Sequence, residues 1–252
     1  MERLTKKKLR CAFGIQQHQK SKRLVMVLVS DENIATSQAI AGELKESILA
    51  GKYKPGARLV QDELAEEFRA SRSPIREALR MLEADGLVTI KSHSGAWITE
   101  LDFAEFEELY QIRERVEPLM LRLSIPHLTT KLIKELEVIL EKLNTATTVE
   151  QFLKYDREFH LLTYEGAITS YLGEIVQRMW NTTQPYRRRY SQILEREHFT
   201  SAHLEHTLLM NAIKRADLDD AERILFGHIR RTRLELKDIK GGDIAYLALA
   251  PR

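Results

Sequence analysis

The sequence predicts a mainly α protein in two parts, an N-terminal winged helix-turn-helix domain followed by an all-α helical bundle. Three observations lead there. Ser71-Arg72-Ser73-Pro74-Ile75-Arg76-Glu77-Ala78-Leu79-Arg80 has the form of an arginine-faced helix, and a shorter helix and a three-residue turn precede it. Two short strand signals follow, separated by Ser92-His93-Ser94-Gly95. From Asp102 to residue 238 only helical periodicity remains.

The chain opens on a basic extension, residues 1–34, in which Arg3, Lys6, Lys7, Lys8, Arg10, Lys20, Lys22 and Arg23 face Glu2 alone up to residue 24. Such an arm suits phosphate contacts or stays disordered, and Met26 offers an alternative start. Residues 35–101 form the expected DNA-binding domain. Ala35–Ala50 carries Ile40, Leu44 and Ile48 on one face and ends before Gly51; Lys54-Pro55-Gly56 is turn chemistry. Asp62–Phe68 reads as a short helix with Leu64, Ala65 and Phe68 inward, and Arg69-Ala70-Ser71 is the turn to the next helix.

Ser71 or Ser73 caps that second helix, and Pro74 in its first turn loses no hydrogen bond. Ile75, Leu79 and Leu82 make its buried stripe, while Arg72, Arg76 and Arg80 fall four apart on another face. A recognition helix entering a major groove needs such an arginine face at its N-terminal half. The bland alternative is a charged surface helix. Arginine reads guanine O6 and N7 bidentately, and a serine hydroxyl reaches phosphates or base edges, so Arg72, Ser73 and Arg76 are the candidate DNA contacts. Gly86 closes the helix as a C-cap glycine. Leu87–Ile90 and Ala96–Thr99 then form the wing, where Gly95 lets backbone approach a phosphate.

Composition narrows the partner. The chain of 252 residues holds 39 Lys/Arg against 37 Asp/Glu, a net charge of +2. Within residues 35–101 nine Lys/Arg face ten Asp/Glu. Positive charge is therefore local, which favours site-specific DNA contact over indiscriminate coating. The single cysteine, Cys11, excludes an internal disulfide and a Cys-rich zinc finger. No apolar run approaches a membrane span, so a cytoplasmic protein without a membrane partner is expected.

Residues 102–240 form the expected bundle, with helices near 102–125, 129–143, 149–166, 170–194, 201–215 and 218–238 and a tail at 241–252. Pro118 and Pro185 fall inside two of them and should kink them. Asp156 and His160 lie four apart on one helical face; His206 and His228 follow on later helices. One carboxylate and three imidazoles suit a divalent first-row metal: zinc, nickel, iron or manganese. Taken singly, each histidine is equally readable as an ordinary core or surface residue. Arg187-Arg188-Arg189, between Tyr186 and Tyr190, reads as a solvated helix face or an interdomain contact rather than nucleic-acid chemistry.

Ile48-Leu49-Ala50-Gly51, Lys54-Pro55-Gly56, Glu63-Leu64-Ala65, the Ser71–Leu79 stretch and Asp85-Gly86-Leu87-Val88 resemble, in order, the winged-helix domain of the GntR family of bacterial transcription regulators. One departure is Arg69, where the family usually has glycine. Residues 102–238 resemble the helical effector-binding domain of the FCD subgroup, named for the FadR C-terminal domain. The subgroup's metal-binding members carry Asp, His four residues later, and two further His; these map onto Asp156, His160, His206 and His228. The usual spacing of the last two ligands selects His206 over His203. Leu109–Pro118 resembles the subgroup's opening helix, in which an arginine faces the pocket, and Arg113 holds that position. The alternative for Arg113 is a surface salt bridge with Glu117.

The resemblance implies a homodimeric regulator that binds operator DNA and answers to a small organic acid held by a metal and Arg113. Two operator half-sites call for a two-fold protein. Two rivals stand beside it. A metalloenzyme carrying a DNA-binding head would activate water at the same ligands; against it, no group is clearly placed as general base, with Glu117 and Glu158 the ones left open. A regulator sensing metal alone would need no organic ligand. The regulator is the expected reading, and no enzymatic activity is expected.

Overall fold

The structure, a computed structural model, describes residues 36–238 except 93, 170 and 194. The basic arm, Met26, His93, the tail and the side chains of Arg189 and Tyr190 lie outside the described residues. Helix α1 spans 36–49, followed by strand β1 (Arg58–Leu59), α2 (Gln61–Glu67), α3 (Arg72–Ala84), β2 (Val88–Lys91) and β3 (Gly95–Ile98). The three strands form an antiparallel sheet in the order β1-β3-β2, with Arg58 opposite Trp97 and Val88 opposite Ile98. Strand β1 was not foreseen, because two residues leave no readable alternation.

Ile40, Leu44 and Ile48 of α1 pack with Ile75, Leu79 and Leu82 of α3 and with Val88 and Ile98 of the sheet. Each such side chain contributes about 1.5–3 kcal/mol by leaving water. Ser71, not Ser73, holds the N-cap position of α3, but its side chain makes no capping hydrogen bond; Ser73 is exposed beside the arginines. Arg69 takes φ +48°, and a Schellman pair closes α2, with Arg69 N donating to Glu66 O and Ala70 N to Ala65 O. The position that usually holds glycine is thus left-handed here too, under a side chain.

The bundle comprises α4 (Phe103–Ser124), a 3-10 turn (Ile125–His127), α5 (Thr130–Asn144), α6 (Val149–Thr163), α7 (Tyr171–Ile193), α8 (Glu195–Lys214) and α9 (Leu218–Asp238). Asp102 and Glu105 form a reciprocal capping box at the start of α4, and Thr129 and Thr148 cap α5 and α6. Helix α8 begins already at Glu195, because the polar run before Ser201 shows no stripe. Helices α4 and α7 each run on as one helix through Pro118 and Pro185. The core is built on Phe106, Tyr110, Leu121, Phe159, Trp180 and Tyr186.

Helix α7 joins bundle to head. Arg178 Nη1 donates to Ala84 O at 3.2 Å, Asn181 Nδ2 to Asp85 O at 2.9 Å, and Thr182 Oγ1 to Gly86 O at 3.1 Å. Arg188 Nη2 donates to Leu49 O at 2.9 Å. These acceptors sit at the C-terminal ends of α1 and α3, where carbonyls lack intrahelical partners and attract cations. Gly51 (φ +81°) and Gly86 (φ +76°) close the two helices and let α7 approach: an added Cβ would stand 2.8 Å from Arg188 Nε and 2.7 Å from Thr182 Oγ1 respectively.

Candidate metal centre and nucleic-acid interface

Asp156 and His160 project from one face of α6, His206 from α8 and His228 from α9, and one ligand atom of each lies within 4.8 Å of all the others. All four residues are buried. His160 Nε2 and His206 Nε2 stand 2.9 Å apart, and Asp156 Oδ1 lies 3.2 Å from His206 Nε2 and 3.8 Å from His160 Nε2. Metal bonds of about 2.0–2.2 Å set cis ligands roughly 3 Å apart, so these separations fit the edge of a coordination shell. His203, one turn from His206, instead meets Phe152 edge-on, with ring centroids 5.9 Å apart.

Second partners orient these groups. His228 Nδ1 meets Glu205 Oε2 at 2.7 Å, which leaves Nε2 for the cluster, and Arg231 Nε donates to Glu205 Oε1 at 2.7 Å. Burial depresses the His228 pKa, against the raising effect of Glu205. His160 is held well below the usual imidazole range, by burial above all. Burial alone would raise the Asp156 carboxyl. Arg187, a hydrogen bond from His206 and the charge of His160 hold it well below the usual range instead.

Arg187 was missed. It is buried and donates through Nη2 to Asp156, which corrects its reading as part of a solvated face. Arg188 is the interdomain contact described above. Arg113 also departs from one of its two readings: its ion pair with Glu117 is buried, not on the surface, with Nε to Oε1 at 2.5 Å and relative exposures of 3% and 0%. Glu117 further accepts from Tyr164 Oη at 2.8 Å and Trp180 Nε1 at 3.1 Å, and Arg113 Nη1 donates to Thr183 Oγ1 at 3.1 Å. Glu158 is half-exposed, 3.9 Å from Lys154.

Between cluster and Arg113 lies a small cavity of about 10 Å³, lined by Tyr110, Arg113, Glu117, His160, Trp180, Arg187 and His228. It holds about one water. Tyr110 Oη, Arg187 Nη1 and His160 Nδ1 are buried there without hydrogen-bond partners among the described residues. Unsatisfied buried groups of this kind mark a place where a ligand or water completes the bonding.

On the head, Arg72, Ser73, Arg76 and Arg80 are all exposed on α3. Arg72 is already engaged by Asp62 of α2, with Nε–Oδ1 at 2.6 Å and Nη2–Oδ2 at 2.9 Å. Arg80 lies 3.5 Å from Glu77. Gly95 opens β3 at φ +121°, next to Arg58 and Trp97. Arg58 Nη2 donates to Ser94 O at 3.3 Å, and Arg58 and Lys91 both stand over the Trp97 ring, 5.9 and 5.1 Å from its centroid. These wing cations were missed because only the fold brings Arg58 to the hairpin.

Comparison with known proteins places both parts. The family described as bacterial regulatory proteins, gntR family, matches residues 36–98, and the FCD domain matches residues 108–231. The uncharacterized HTH-type transcriptional regulator YdhC of Bacillus subtilis (strain 168) is 28% identical over 207 residues, covering 78% of this chain and 89% of that protein. The HTH-type transcriptional regulator McbR of Escherichia coli (strain K12) is 27% identical over 201 residues, 77% of this chain and 89% of its own. The solved E. coli McbR/YncC structure superposes with a TM-score of 0.72 at 24% identity, over 81% of this chain and 98% of that one, and shows the shared fold. No helix among the described residues is long and apolar enough to cross a membrane. With a winged helix in front and the histidine-bearing bundle behind, this chain belongs to the GntR family of bacterial transcription regulators and carries an FCD domain.

Proposed function

We propose that this regulator binds operator DNA as a homodimer, reads it through Arg72, Ser73, Arg76 and Gly95, and senses a small carboxylate at a metal held by Asp156, His160, His206 and His228. The observation that carries the reading is the convergence of one buried carboxylate and three buried imidazoles from three helices. The donor set fits a divalent first-row metal, which would supply a cationic anchor with open positions. Arg113 faces the same cavity, and a guanidinium clamps a carboxylate bidentately.

The chain's own residues supply a route from that site to the DNA. Arg187 and Arg113 line the cavity, and α7, which carries Arg187, also holds the C-terminal ends of α1 and α3. A ligand that pairs with these arginines differently in two head arrangements shifts their populations by its differential affinity. Domains 35–101 and 102–240 then work as reader and sensor.

A second reading, a regulator answering to metal alone, is favoured by the cavity's size: at about 10 Å³ it admits no organic acid without movement of Arg187 or Arg113. One experiment tests both. Metal content of the purified full chain is measured first; operator binding is then titrated with metal-free protein, metal-loaded protein, and metal-loaded protein plus carboxylates found by a thermal-shift screen. A carboxylate that shifts operator affinity only in loaded protein supports the first reading. Metal dependence with no carboxylate response supports the second, and absence of bound metal or of a thermal shift with zinc, nickel, iron or manganese rejects both.

A further inference from the structure

A second cleft lies between the head and the bundle. It has a volume of about 450 Å³ and is lined by Leu49 of α1, Leu153, Arg157 and Leu161 of α6, and Gln184 and Arg188 of α7. That size is within the usual range for a small-molecule site. Gln184 and Arg188 are four apart and share a helical face, whereas Arg187 turns to Asp156.

Three groups lining this cleft have a buried atom without a hydrogen-bond partner among the described residues: Arg157, Gln184 and, at Nε, Arg188. Arg157 Nη2 donates to Asn181 Oδ1 at 2.5 Å, but its Nη1 is buried with no partner, and no carboxylate among the described residues ion-pairs with it. Gln184 is 4% exposed, and its Oε1 has no hydrogen-bond partner. The acids at the rim are partly committed: Glu150 lies 3.5 Å from Arg188 and Glu158 3.9 Å from Lys154, while Glu46 faces the cleft from α1. A buried guanidinium N–H without an acceptor and a buried amide oxygen without a donor are each costly, and one ligand answers both.

We propose that this cleft binds a small hydroxylated organic carboxylate, with its carboxylate on Arg157, its hydroxyl donating to Gln184 Oε1 and its apolar body against Leu49, Leu153 and Leu161. The site is separate from the histidine cluster. Because Leu49 belongs to the head and the other groups to the bundle, occupancy depends on how the two are docked, so the ligand acts on DNA binding independently of the metal.

The test uses 3-hydroxybenzoate and benzoate as probes, titrated calorimetrically into the chelator-treated full chain and into Arg157→Met and Gln184→Leu. Wild type binds 3-hydroxybenzoate in the millimolar range or tighter and benzoate about five- to tenfold more weakly, for the lost hydrogen bond. Gln184→Leu binds the two probes equally. Arg157→Met weakens both by about tenfold or more, while its ligand-free Tm stays level or rises, since a buried N–H without an acceptor is gone and no ion pair among the described residues is lost. The proposal is overturned by any of three results: no binding of 3-hydroxybenzoate at millimolar concentration, unchanged affinity in Arg157→Met, or a fall in the ligand-free Tm of that variant, which would show Arg157 to be satisfied by the protein itself.

Discussion

Arg187 and Arg188 are neighbours in α7 but are held from opposite sides, Arg187 by the buried Asp156 carboxylate and Arg188 by the Leu49 carbonyl at the end of α1. Whatever displaces the first guanidinium acts on a helix whose next residue grips the DNA-binding head. A metal at Asp156 would be such a displacing agent, because it would offer the carboxylate a competing positive charge.

The first prediction follows from that competition. Arg187→Met leaves Asp156 buried without its counter-ion in metal-free protein, which should cost about 3–5 kcal/mol. A bound divalent metal replaces the missing charge. The variant should therefore show a lower Tm than wild type without metal and a larger upward shift when zinc or nickel is added. Equal metal-induced shifts in the two proteins would separate Arg187 from the metal site.

Glu205 should matter through His228 rather than through metal contact. Its carboxylate fixes which His228 nitrogen faces the cluster, and the Nδ1–Oε2 separation is 2.7 Å. Glu205→Gln should weaken metal binding by about 10–100-fold, the usual cost of losing such an outer partner, and leave the metal-free helical content intact. Competition with a chelator of known affinity reads the effect. Unchanged affinity would mean that the His228 ring is held by packing alone.

For DNA, Arg76 is the sharper test than Arg72. Both are exposed on α3, but Arg72 is committed bidentately to Asp62, while Arg76 has no ion pair among the described residues. Arg76→Ala should cost about 1–3 kcal/mol on an operator selected from random DNA and much less on random sequence. Equal losses on both would make Arg76 a phosphate contact.

Much of this was legible where the pattern is local. Ile75, Leu79 and Leu82 follow helical spacing, and Asp156 with His160 is one turn of one helix, so both the recognition helix and half of the cluster can be read from the chain. His206 and His228 could be named as candidates on later helices, and the resemblance to known regulators chose His206 over His203. What stayed hidden depends on partners distant in sequence. Arg187 reads as part of a charge run because Asp156 is 31 residues away, and Arg188 finds its carbonyl 139 residues back. Arg157 and Gln184 carry no motif at all; only the buried, unpartnered Arg157 Nη1 and Gln184 Oε1 give them meaning.

Arg69 permits a stability prediction. At φ +48° a side chain costs about 1–2 kcal/mol that glycine avoids, and the Schellman bonds need only backbone. Glycine gives back part of that gain through unfolded-state entropy. Arg69→Gly should raise stability by up to about 1 kcal/mol, a Tm shift of about 2–4 °C. A lower Tm would show that the arginine side chain stabilises the turn by more than its backbone strain.

The last prediction concerns how the head is docked. Gly86 has φ +76°, and a Cβ there would stand 2.7 Å from both Arg178 Cγ and Thr182 Oγ1 of α7. Gly56 is a matched control: its φ is +72°, but the added Cβ meets the Glu100 carboxylate, the free end of a flexible side chain. Both alanine variants carry the same left-handed strain of about 1–2 kcal/mol. Only Gly86→Ala must also push α7 away and strain the bond from Thr182 Oγ1 to Gly86 O. It should therefore lose more stability than Gly56→Ala. If the metal site acts on the head through α7, metal should raise amide-exchange protection in α3 of wild type and of Gly56→Ala, and fail to do so in Gly86→Ala. Protection that still responds to metal in Gly86→Ala, at a stability loss no larger than that of Gly56→Ala, would remove α7 as the route between metal and DNA.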